Sequence, residues 1–136
     1  LLTNGDVPTL TNARTPIVTS MTCHINHHSL PGFDTLGELL VVEPTAGAVA
    51  VFAPVTLSDH VEGRFFGDRL FRRAFPRRGE SAGTFGDVLS QAFADAVDAG
   101  IPPHVLHVYQ LLGDPALALR HTPNVEEQVG TVSGPG

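Results

Sequence analysis

The single cysteine of the chain, Cys23, stands where an apolar segment ends and a histidine-rich segment begins. The apolar segment is Pro-Ile-Val-Thr-Ser-Met-Thr at 16–22, and the polar side chains that follow are His24, Asn26, His27 and His28. A thiol placed after a buried strand lies at the carboxyl edge of an open α/β sheet, where such sheets carry their reactive groups. The pattern therefore indicates a nucleophilic Cys23, which needs an imidazole base and an oxyanion site from a backbone N–H.

Two other interpretations of this cluster stay open at the level of the residues. A lone cysteine at a strand end can be a small buried apolar side chain instead of a nucleophile. It can also bind a metal ion together with His24, His27 and His28, although no further Cys or His pair completes a closed tetrahedral site. His24 is a poor choice of base, because neighbouring side chains on a strand point to opposite faces.

Composition restricts the classes of protein to which the chain can belong. Its 136 residues fit one domain or part of one, and 42% hydrophobic residues are ordinary for a globular core. The formal net charge of -6 argues against a nucleic-acid binder, and no apolar run approaches the roughly 20 residues of a membrane span. The first residues are neither a signal peptide nor an initiator methionine, which predicts that the chain starts mid-protein.

Arginine is concentrated in one segment, since six of the eight arginines fall between residues 64 and 78, and lysine is absent. Such a cluster near a helix end is typical of a solvated face that complements the helix dipole. A phosphate or partner site is the less favoured alternative for it.

A strand, a helix and a second strand are predicted in the first half of the chain. Residues 17–22 are apolar and β-branched without alternation, which is typical of a strand buried in a parallel sheet. Residues 36–42 are predicted to form a short helix, because three leucines share one of its faces. Asp34 or Thr35 can cap this helix. Residues 48–52 are predicted to form the second strand.

The order strand, helix, strand is a βαβ unit, whose right-handed crossover makes the two strands parallel. The segments that carry Cys23 and Pro54 then meet at the same edge of the sheet. Of the remaining histidines only His60, after the second strand, is placed to face this edge. A parallel sheet this small needs further strands, so we infer that an upstream segment or a partner chain completes it.

Two longer amphipathic helices are predicted next, one between Asp59 and Phe75 and one that begins at a capping box of Thr84 and Asp87 and ends at Gly100. Both apolar stripes are expected to pack in the core.

The ends of the chain are predicted from turn residues and polarity. Residues 1–15 are expected to form a loop with one short helical turn, and residues 116–119 a last strand after a turn at 113–115. Residues 121–136 are predicted to be a flexible tail or linker.

Four short segments follow one another in an order that is characteristic of a known family. They are Pro-Ile-Val-Thr-Ser-Met-Thr-Cys at 16–23, Leu-Gly-Glu-Leu-Leu at 36–40, Gly-Ala-Val-Ala-Val at 47–51 and Leu-Gly-Asp-Pro-Ala-Leu at 112–117. Together they resemble the second half of the catalytic domain of gingipain-type cysteine peptidases, which belong to the caspase-like clan. The resemblance covers about residues 7–120, and the combination is more specific than any single segment.

The resemblance implies an α/β fold, the caspase-like three-layer sandwich with a mainly parallel sheet, of which this chain holds only a part. Residues 1–120 would then be the carboxyl-terminal part of a peptidase domain. The implied partners are a peptide or protein substrate and the upstream part of the domain or a companion chain, with no nucleic acid and no membrane span. A secreted or cell-envelope location is suggested by the resemblance alone.

The resemblance also implies the roles of individual residues. Cys23 would be the nucleophile of a Cys and His dyad that hydrolyses peptide bonds through a thioester, and its own backbone N–H would contribute to the oxyanion hole. No cofactor and no metal are implied. Asp59 would suit a basic side chain of the substrate. The expected substrate-pocket residues are Thr22, Val55, Thr56, Ser58, Asp59 and His60.

The chain departs from the family's pattern in three places. The family usually has Gly three residues after the nucleophile and an aromatic residue two further on, whereas this chain has Asn26 and His28. Asn adopts the left-handed backbone almost as Gly does, so the turn is expected to survive. The general-base His, followed by Gly in the family, has no counterpart here, which predicts that an upstream segment supplies it and that this chain alone is inert.

Two alternatives to the peptidase follow from these departures. One is a catalytically inactive caspase-like module that binds or scaffolds other proteins. The other, less favoured, is a metal-binding domain or metal-dependent hydrolase that uses Cys23, His24, His27 and His28.

Overall fold

One mixed sheet of three strands organises the part of the chain that the structure, a computed structural model, describes, namely residues 2–29, 31–77 and 80–119. The strands are β1 (Ile17–Thr19), β2 (Ala50–Pro54) and β3 (Tyr109–Gly113), in that order across the sheet. β1 runs parallel to β2, and β3 runs antiparallel to it. Among the described residues β2 is therefore the central strand, and β1 lies at an edge.

The predicted βαβ unit is confirmed. Helix α1 (Leu36–Val42) connects β1 to the parallel strand β2. Thr35 caps α1, because its hydroxyl accepts the backbone N–H of Glu38 while the Glu38 carboxylate accepts the N–H and O–H of Thr35. This connection brings the loops that follow β1 and β2 to the same edge of the sheet.

β1 is shorter than the predicted strand at 17–22 because the chain turns at Ser20. The Ser20 N–H still donates to the carbonyl of Phe52 at 3.0 Å. Its hydroxyl, however, bonds to the hydroxyl of Thr22 at 2.7 Å and accepts the Thr22 N–H at 3.2 Å. This local turn ends the ladder and places Cys23 in a loop beyond the end of the strand.

Helices cover both faces of the sheet, as expected for a three-layer α/β sandwich. Alternate residues of β2 point to opposite faces, and all five are buried. Phe52 packs with helices α2 (His60–Ala74) and α3 (Phe85–Asp98), while Val51 and Ala53 pack with α1 and a 3-10 helix at Asn4–Thr9. The caspase-like fold class predicted from the sequence is confirmed.

The last strand was predicted at the wrong residues. Residues 116–119 make only an isolated bridge, between Ala118 and Thr84, whereas the strand is β3, which follows a short helix α4 (Pro103–Leu106). β3 pairs with β2 along its whole length, with Tyr109 opposite Pro54 and Gly113 opposite Ala50. The apolar run after Pro103 fits a helix or a strand equally well by periodicity, and a long-range pairing with β2 decides the outcome.

Both long helices begin and end close to the predicted positions. Asp59 caps α2 by accepting the N–H groups of Val61 and Glu62 at 2.8 and 3.1 Å, and Thr84 forms the predicted capping box with Asp87 at the start of α3. These caps satisfy backbone donors that a helix leaves unpaired at its first turn.

Two arginines of the cluster, Arg72 and Arg73, lie in the last turn of α2, where their charges complement the helix dipole. Arg72 pairs with Asp68 on the same helix at 2.8 Å, and Arg73 pairs with Asp95 of α3 at 2.7 Å. Both pairs are partly or fully exposed, so they link surface side chains and do not form a buried network.

Two further sequence predictions concern the end of the chain and membrane-spanning segments. The predicted tail at 121–136 lies outside the described residues. In the described ranges, no helix is long and apolar enough to cross a membrane.

Candidate active site

Cys23 lies at the surface, in the loop that follows β1, and its sulfur contacts the loop that follows β2. The backbone N–H of Ser58 donates to Sγ at 3.4 Å. The hydroxyl oxygen and the carbonyl oxygen of Ser58 both lie 3.6 Å from Sγ. The interpretation of Cys23 as a buried apolar side chain is therefore wrong.

The same contacts favour the ionised form of Cys23. Hydrogen bonds from Ser58, its backbone N–H first and its side chain second, hold the pKa of the Cys23 thiol below its usual value. Loss of hydration on burial acts in the opposite direction but is a weaker influence. A thiol with a lowered pKa that remains accessible is the arrangement found for reactive cysteines.

The loop that carries Cys23 is held against the loop after β2 by backbone hydrogen bonds. His24 donates its N–H to the carbonyl of Thr56 at 3.2 Å, and Asn26 donates its N–H to the carbonyl of Pro54 at 3.0 Å. Since Thr56 follows Pro54 whereas His24 precedes Asn26, the loop runs back antiparallel to the end of β2 at these two bonds. The position of Cys23 next to Ser58 follows from them.

The left-handed residue of this loop is His24, with φ 62°, and not Asn26. The expectation that Asn26 replaces a glycine in a left-handed turn is therefore wrong. A positive φ is uncommon for a residue with a side chain, although His adopts it more often than most. The turn immediately after Cys23 thus depends on His24, which had no predicted backbone role.

Asn26 instead links the Cys23 loop to the sheet through the hydrogen bonds of its buried side chain. It is fully buried, and its side-chain N–H2 group faces the carbonyl oxygens of Gln110, Ala53 and Val51 at 3.1, 3.4 and 3.5 Å. Its side-chain oxygen has no partner among the described residues. Sequence reasoning missed this role, because one polar residue in a polar loop carries no signal of burial.

Two of the six expected pocket residues form hydrogen bonds with the Cys23 loop. Ser58 bonds to Cys23, and Thr56 bonds to His24. Val55 is half-buried and donates its N–H to the carbonyl of Val108 at 2.8 Å, which attaches the start of this loop to the segment before β3. The structure shows no hydrogen bond from Val55 to Cys23.

The other three expected pocket residues are exposed and surround this contact without touching it through a hydrogen bond. Thr22 precedes Cys23, Asp59 follows Ser58 and caps α2, and His60 is the first residue of α2. Hydrogen bonds from Glu62 and Val61 hold the pKa of Asp59 below its usual range. A negative charge therefore stands next to the residue that contacts the sulfur.

Three histidines follow Cys23 closely in the sequence, and their rings make contacts other than with its sulfur. The rings of His24 and His27 lie 4.9 Å apart, and His28 bonds through Nδ1 to the carbonyl of Asn26 at 2.8 Å. Within the described ranges, no imidazole forms a hydrogen bond with the sulfur of Cys23. In this part of the chain the thiol therefore has no imidazole as a hydrogen-bond partner.

The metal-site interpretation finds no support in this arrangement. No group of three or more His, Cys, Asp or Glu side chains is placed to hold a metal ion in the described part of the chain. Cys23, His24, His27 and His28 all belong to that part. The rings of His24 and His27 lie near each other, whereas Cys23 contacts Ser58 and His28 bonds to the carbonyl of Asn26.

A cleft of about 580 Å³ lies between α3 and the segment of α4 and β3, and Cys23 is not among its lining residues. Its lining is mostly apolar, and it includes Val97, Leu106 and Tyr109. None of the predicted pocket residues lines it. The cleft is thus a separate feature of the surface and not the expected substrate pocket.

Comparison with known proteins agrees with this architecture. A family model described as peptidase family C25 matches residues 1–120. None of the curated proteins compared with the chain matches it.

Two solved structures share the fold. One is described as the complex of Porphyromonas gingivalis RgpB pro- and mature domains, with a TM-score of 0.76, and the other as the Arg specific cysteine proteinase gingipain R (RgpB), with a TM-score of 0.72. Each is 21% identical to the chain, and each match covers 86% of this chain and 29% of the other. The chain therefore spans about three tenths of the length of these structures.

Proposed function

The chain belongs to peptidase family C25, a family of cysteine peptidases, and from this membership we propose that it forms the carboxyl-terminal part of the catalytic domain of a cysteine endopeptidase. In this proposal residues 1–120 are the domain part, and Cys23 is the nucleophile. The observation that carries the proposal is the exposed sulfur of Cys23, which lies after a strand parallel to β2 and accepts the N–H of Ser58.

The chemistry begins with attack of the Cys23 thiolate on the carbonyl carbon of a peptide bond. The carbonyl oxygen becomes an oxyanion, for which the backbone N–H of Cys23 is the proposed donor. In the described part of the chain this N–H donates to no other residue. It is therefore free to bind an oxyanion that forms beside the sulfur.

Collapse of this intermediate breaks the C–N bond and leaves the acyl group on Cys23 as a thioester. The leaving amine takes its proton from an imidazolium, and the resulting imidazole then removes a proton from the attacking water. Hydrolysis of the thioester releases the carboxylic acid and regenerates the thiol. A histidine must supply these proton transfers, and we propose that it comes from an upstream segment, since no described imidazole is bonded to Cys23.

The proposed substrate pocket is formed by Thr22 and by the loop residues after β2, which end at His60. Asp59 places an ionised carboxylate beside Ser58. We propose that it favours a basic side chain next to the cut bond, which is in line with the description of one structural neighbour as Arg specific.

The role of Asp59 is testable without disturbing α2. Asp59→Asn keeps an oxygen that can cap the helix and removes only the charge. We expect cleavage of an Arg substrate by the complete protein to fall relative to cleavage of a neutral substrate. Asp87→Asn, at the cap of α3, is the matched control. An unchanged Arg preference in Asp59→Asn would remove Asp59 from the pocket.

The nucleophile is tested by covalent labelling of the complete protein with an electrophilic peptidyl ketone. We expect a label on the peptide that contains Cys23, and no label there in Cys23→Ala. A label that persists in this chain in Cys23→Ala contradicts the proposal. A parent protein that takes no label supports the inactive binding or scaffolding module instead, and stoichiometric zinc supports the metal-binding alternative.

A further inference from the structure

Ser58 places two potential hydrogen-bond donors at the sulfur of Cys23, its backbone N–H at 3.4 Å and its hydroxyl at 3.6 Å. We propose that Ser58 is a further catalytic residue, whose backbone N–H and hydroxyl together stabilise the thiolate of Cys23 before it attacks the substrate. The inference rests on the proposed function of Cys23 as the nucleophile.

The geometry provides one arrangement for the thiol and another for the thiolate. In the thiol, the S–H proton is donated to the Ser58 carbonyl oxygen at 3.6 Å, while the Ser58 hydroxyl donates to the carbonyl of Met21 at 3.2 Å. After the thiol loses its proton to a base, Sγ can only accept. The Ser58 hydroxyl lies 3.6 Å from Sγ and can turn its proton from Met21 to the sulfur.

The backbone N–H of Ser58 can donate a hydrogen bond to Sγ in both the thiol and the thiolate state. It points at Sγ from 3.4 Å in either state, and it is fixed because the next residue, Asp59, caps α2 with two hydrogen bonds. A donor held in place before the reaction needs no reorganisation when the charge forms. Hydrogen bonds to an ionised group are also stronger than those to a neutral one.

Tyr109 of β3 is a further titratable group near Cys23 and Ser58. Its hydroxyl is buried and has no partner of good hydrogen-bond geometry among the described residues. Burial raises the pKa of Tyr109, and the neighbouring Ser58 hydroxyl acts in the opposite direction. The charges of Cys23 and Asp59 also raise the pKa of Tyr109, so the phenol stays protonated beside the thiolate.

Charged neighbours do not account for the state of the thiol. The titratable groups of the elements around Cys23 are His24, His27, His28, Asp59, His60 and Tyr109. Ser58 remains the first cause of the lowered pKa of Cys23, through its N–H and then its side chain, and no cation is among the causes. The described residues thus stabilise the thiolate with dipoles rather than with charge.

The test measures the rate at which iodoacetamide alkylates Cys23 in the complete protein between pH 5 and 10, with the modified peptide identified by mass spectrometry. Ser58→Ala removes the hydroxyl and keeps the N–H. We expect the midpoint of the profile to move to higher pH and the alkylation rate below the midpoint to fall about three- to tenfold. Ser90→Ala, on the exposed face of α3, is the control and should keep the parent profile.

Ser58→Thr and Ser58→Val form a matched pair that differs only in the hydroxyl. The threonine variant should restore the parent profile, and the valine variant should behave like Ser58→Ala. This pair also serves if Ser58→Ala proves unstable. A parent-like midpoint in Ser58→Ala or in Ser58→Val would overturn the proposal.

Failure of this inference can be told apart from failure of the proposed function. Alkylation requires no peptide turnover, so it reports the thiolate even in a protein that cleaves nothing. If the peptidyl ketone labels Cys23 but the alkylation midpoint is the same with and without the Ser58 hydroxyl, Cys23 is the nucleophile and the Ser58 hydroxyl does not stabilise its thiolate.

Discussion

The side-chain oxygen of Asn26 occupies the space into which a side chain at Gly37 would project. Gly37 lies in the first turn of α1, and its backbone N–H donates to the carbonyl of Ile25 at 3.0 Å. The helix therefore approaches the Cys23 loop so closely that only glycine fits. The conformation of the Cys23 loop and the start of α1 depend on each other through this contact.

Gly37→Ala is expected to destabilise the protein, because the added methyl group must displace a fully buried amide. The loss should be about 1–3 kcal/mol, the usual cost of overpacking, in spite of the better helix propensity of alanine. Chemical denaturation measures it. Gly5→Ala is the control, since a side chain there makes only an ordinary contact at 3.9 Å with the side chain of Thr3. Equal stability of the Gly37→Ala variant and the parent would contradict the close contact.

The elements that local patterns mark were predictable from the sequence. Thr84 and Asp87 predict the start of α3, because a capping box involves only residues that are close in sequence. The apolar residues around Phe52 predict a buried strand, because both faces of that strand are covered. The parallel pairing of β1 and β2 followed from the handedness of βαβ connections.

The details that depend on long-range contacts were not predictable. β3 was missed because its apolar run is compatible with a helix or a strand, and only the pairing of residues such as Gln110 with Ala53 decides between them. The burial of Asn26 and the contact of Ser58 with Cys23 arise where two loops meet in space. The sequence alone singles out Cys23 as the proposed nucleophile, but it does not show which groups surround the sulfur.

Phe52→Ala tests the core that supports the sheet. The Phe52 ring is 1% exposed and contacts the rings of Phe66, Phe85, Phe93 and Tyr109 within centroid distances of 5.6–6.3 Å. Removing it leaves a cavity among rigid neighbours, so we expect a loss of about 3–5 kcal/mol in the free energy of unfolding. Phe33→Ala, at a side chain 75% exposed, should change it by less than about 0.5 kcal/mol.

The ion pair between Arg73 and Asp95 predicts part of the acid dependence of stability. Arg73 donates twice to the carboxylate at 2.7 Å, and it holds the pKa of Asp95 below its usual range. Because the pKa is lower in the folded state, the stabilisation is present above the ordinary Asp pKa of about 3.9 and is lost as the pH falls through the folded value.

Arg73→Gln should therefore flatten the fall in stability between about pH 5 and pH 2, as followed by urea denaturation at several pH values. Arg72→Gln is the control. Its pair with Asp68 is more exposed and stays within α2, so it should leave the slope nearer that of the parent. A steeper slope in Arg73→Gln than in the parent would show that the pair has the opposite effect.

Gly63 of α2 packs closely against Tyr109 of β3, so this contact brings the helix near the sheet. A Cβ at Gly63 would lie 2.8 Å from the Tyr109 hydroxyl oxygen, which is buried and carried by a rigid ring. Gly63→Ala is therefore expected to destabilise the parent by about 1–2 kcal/mol, since the steric cost exceeds the gain in helix propensity.

Tyr109→Phe removes the obstructing oxygen, so in this background Gly63→Ala should instead stabilise the protein by up to about 1 kcal/mol through helix propensity. The difference between the two backgrounds is the interaction energy of a double-mutant cycle, obtained from four urea denaturation curves. Gly67→Ala is the comparison, because its Cβ would meet the flexible side chain of Met21 at 3.3 Å and should have the same effect in both backgrounds. If Gly63→Ala also costs the same in both, the Tyr109 hydroxyl does not set the distance between α2 and the sheet.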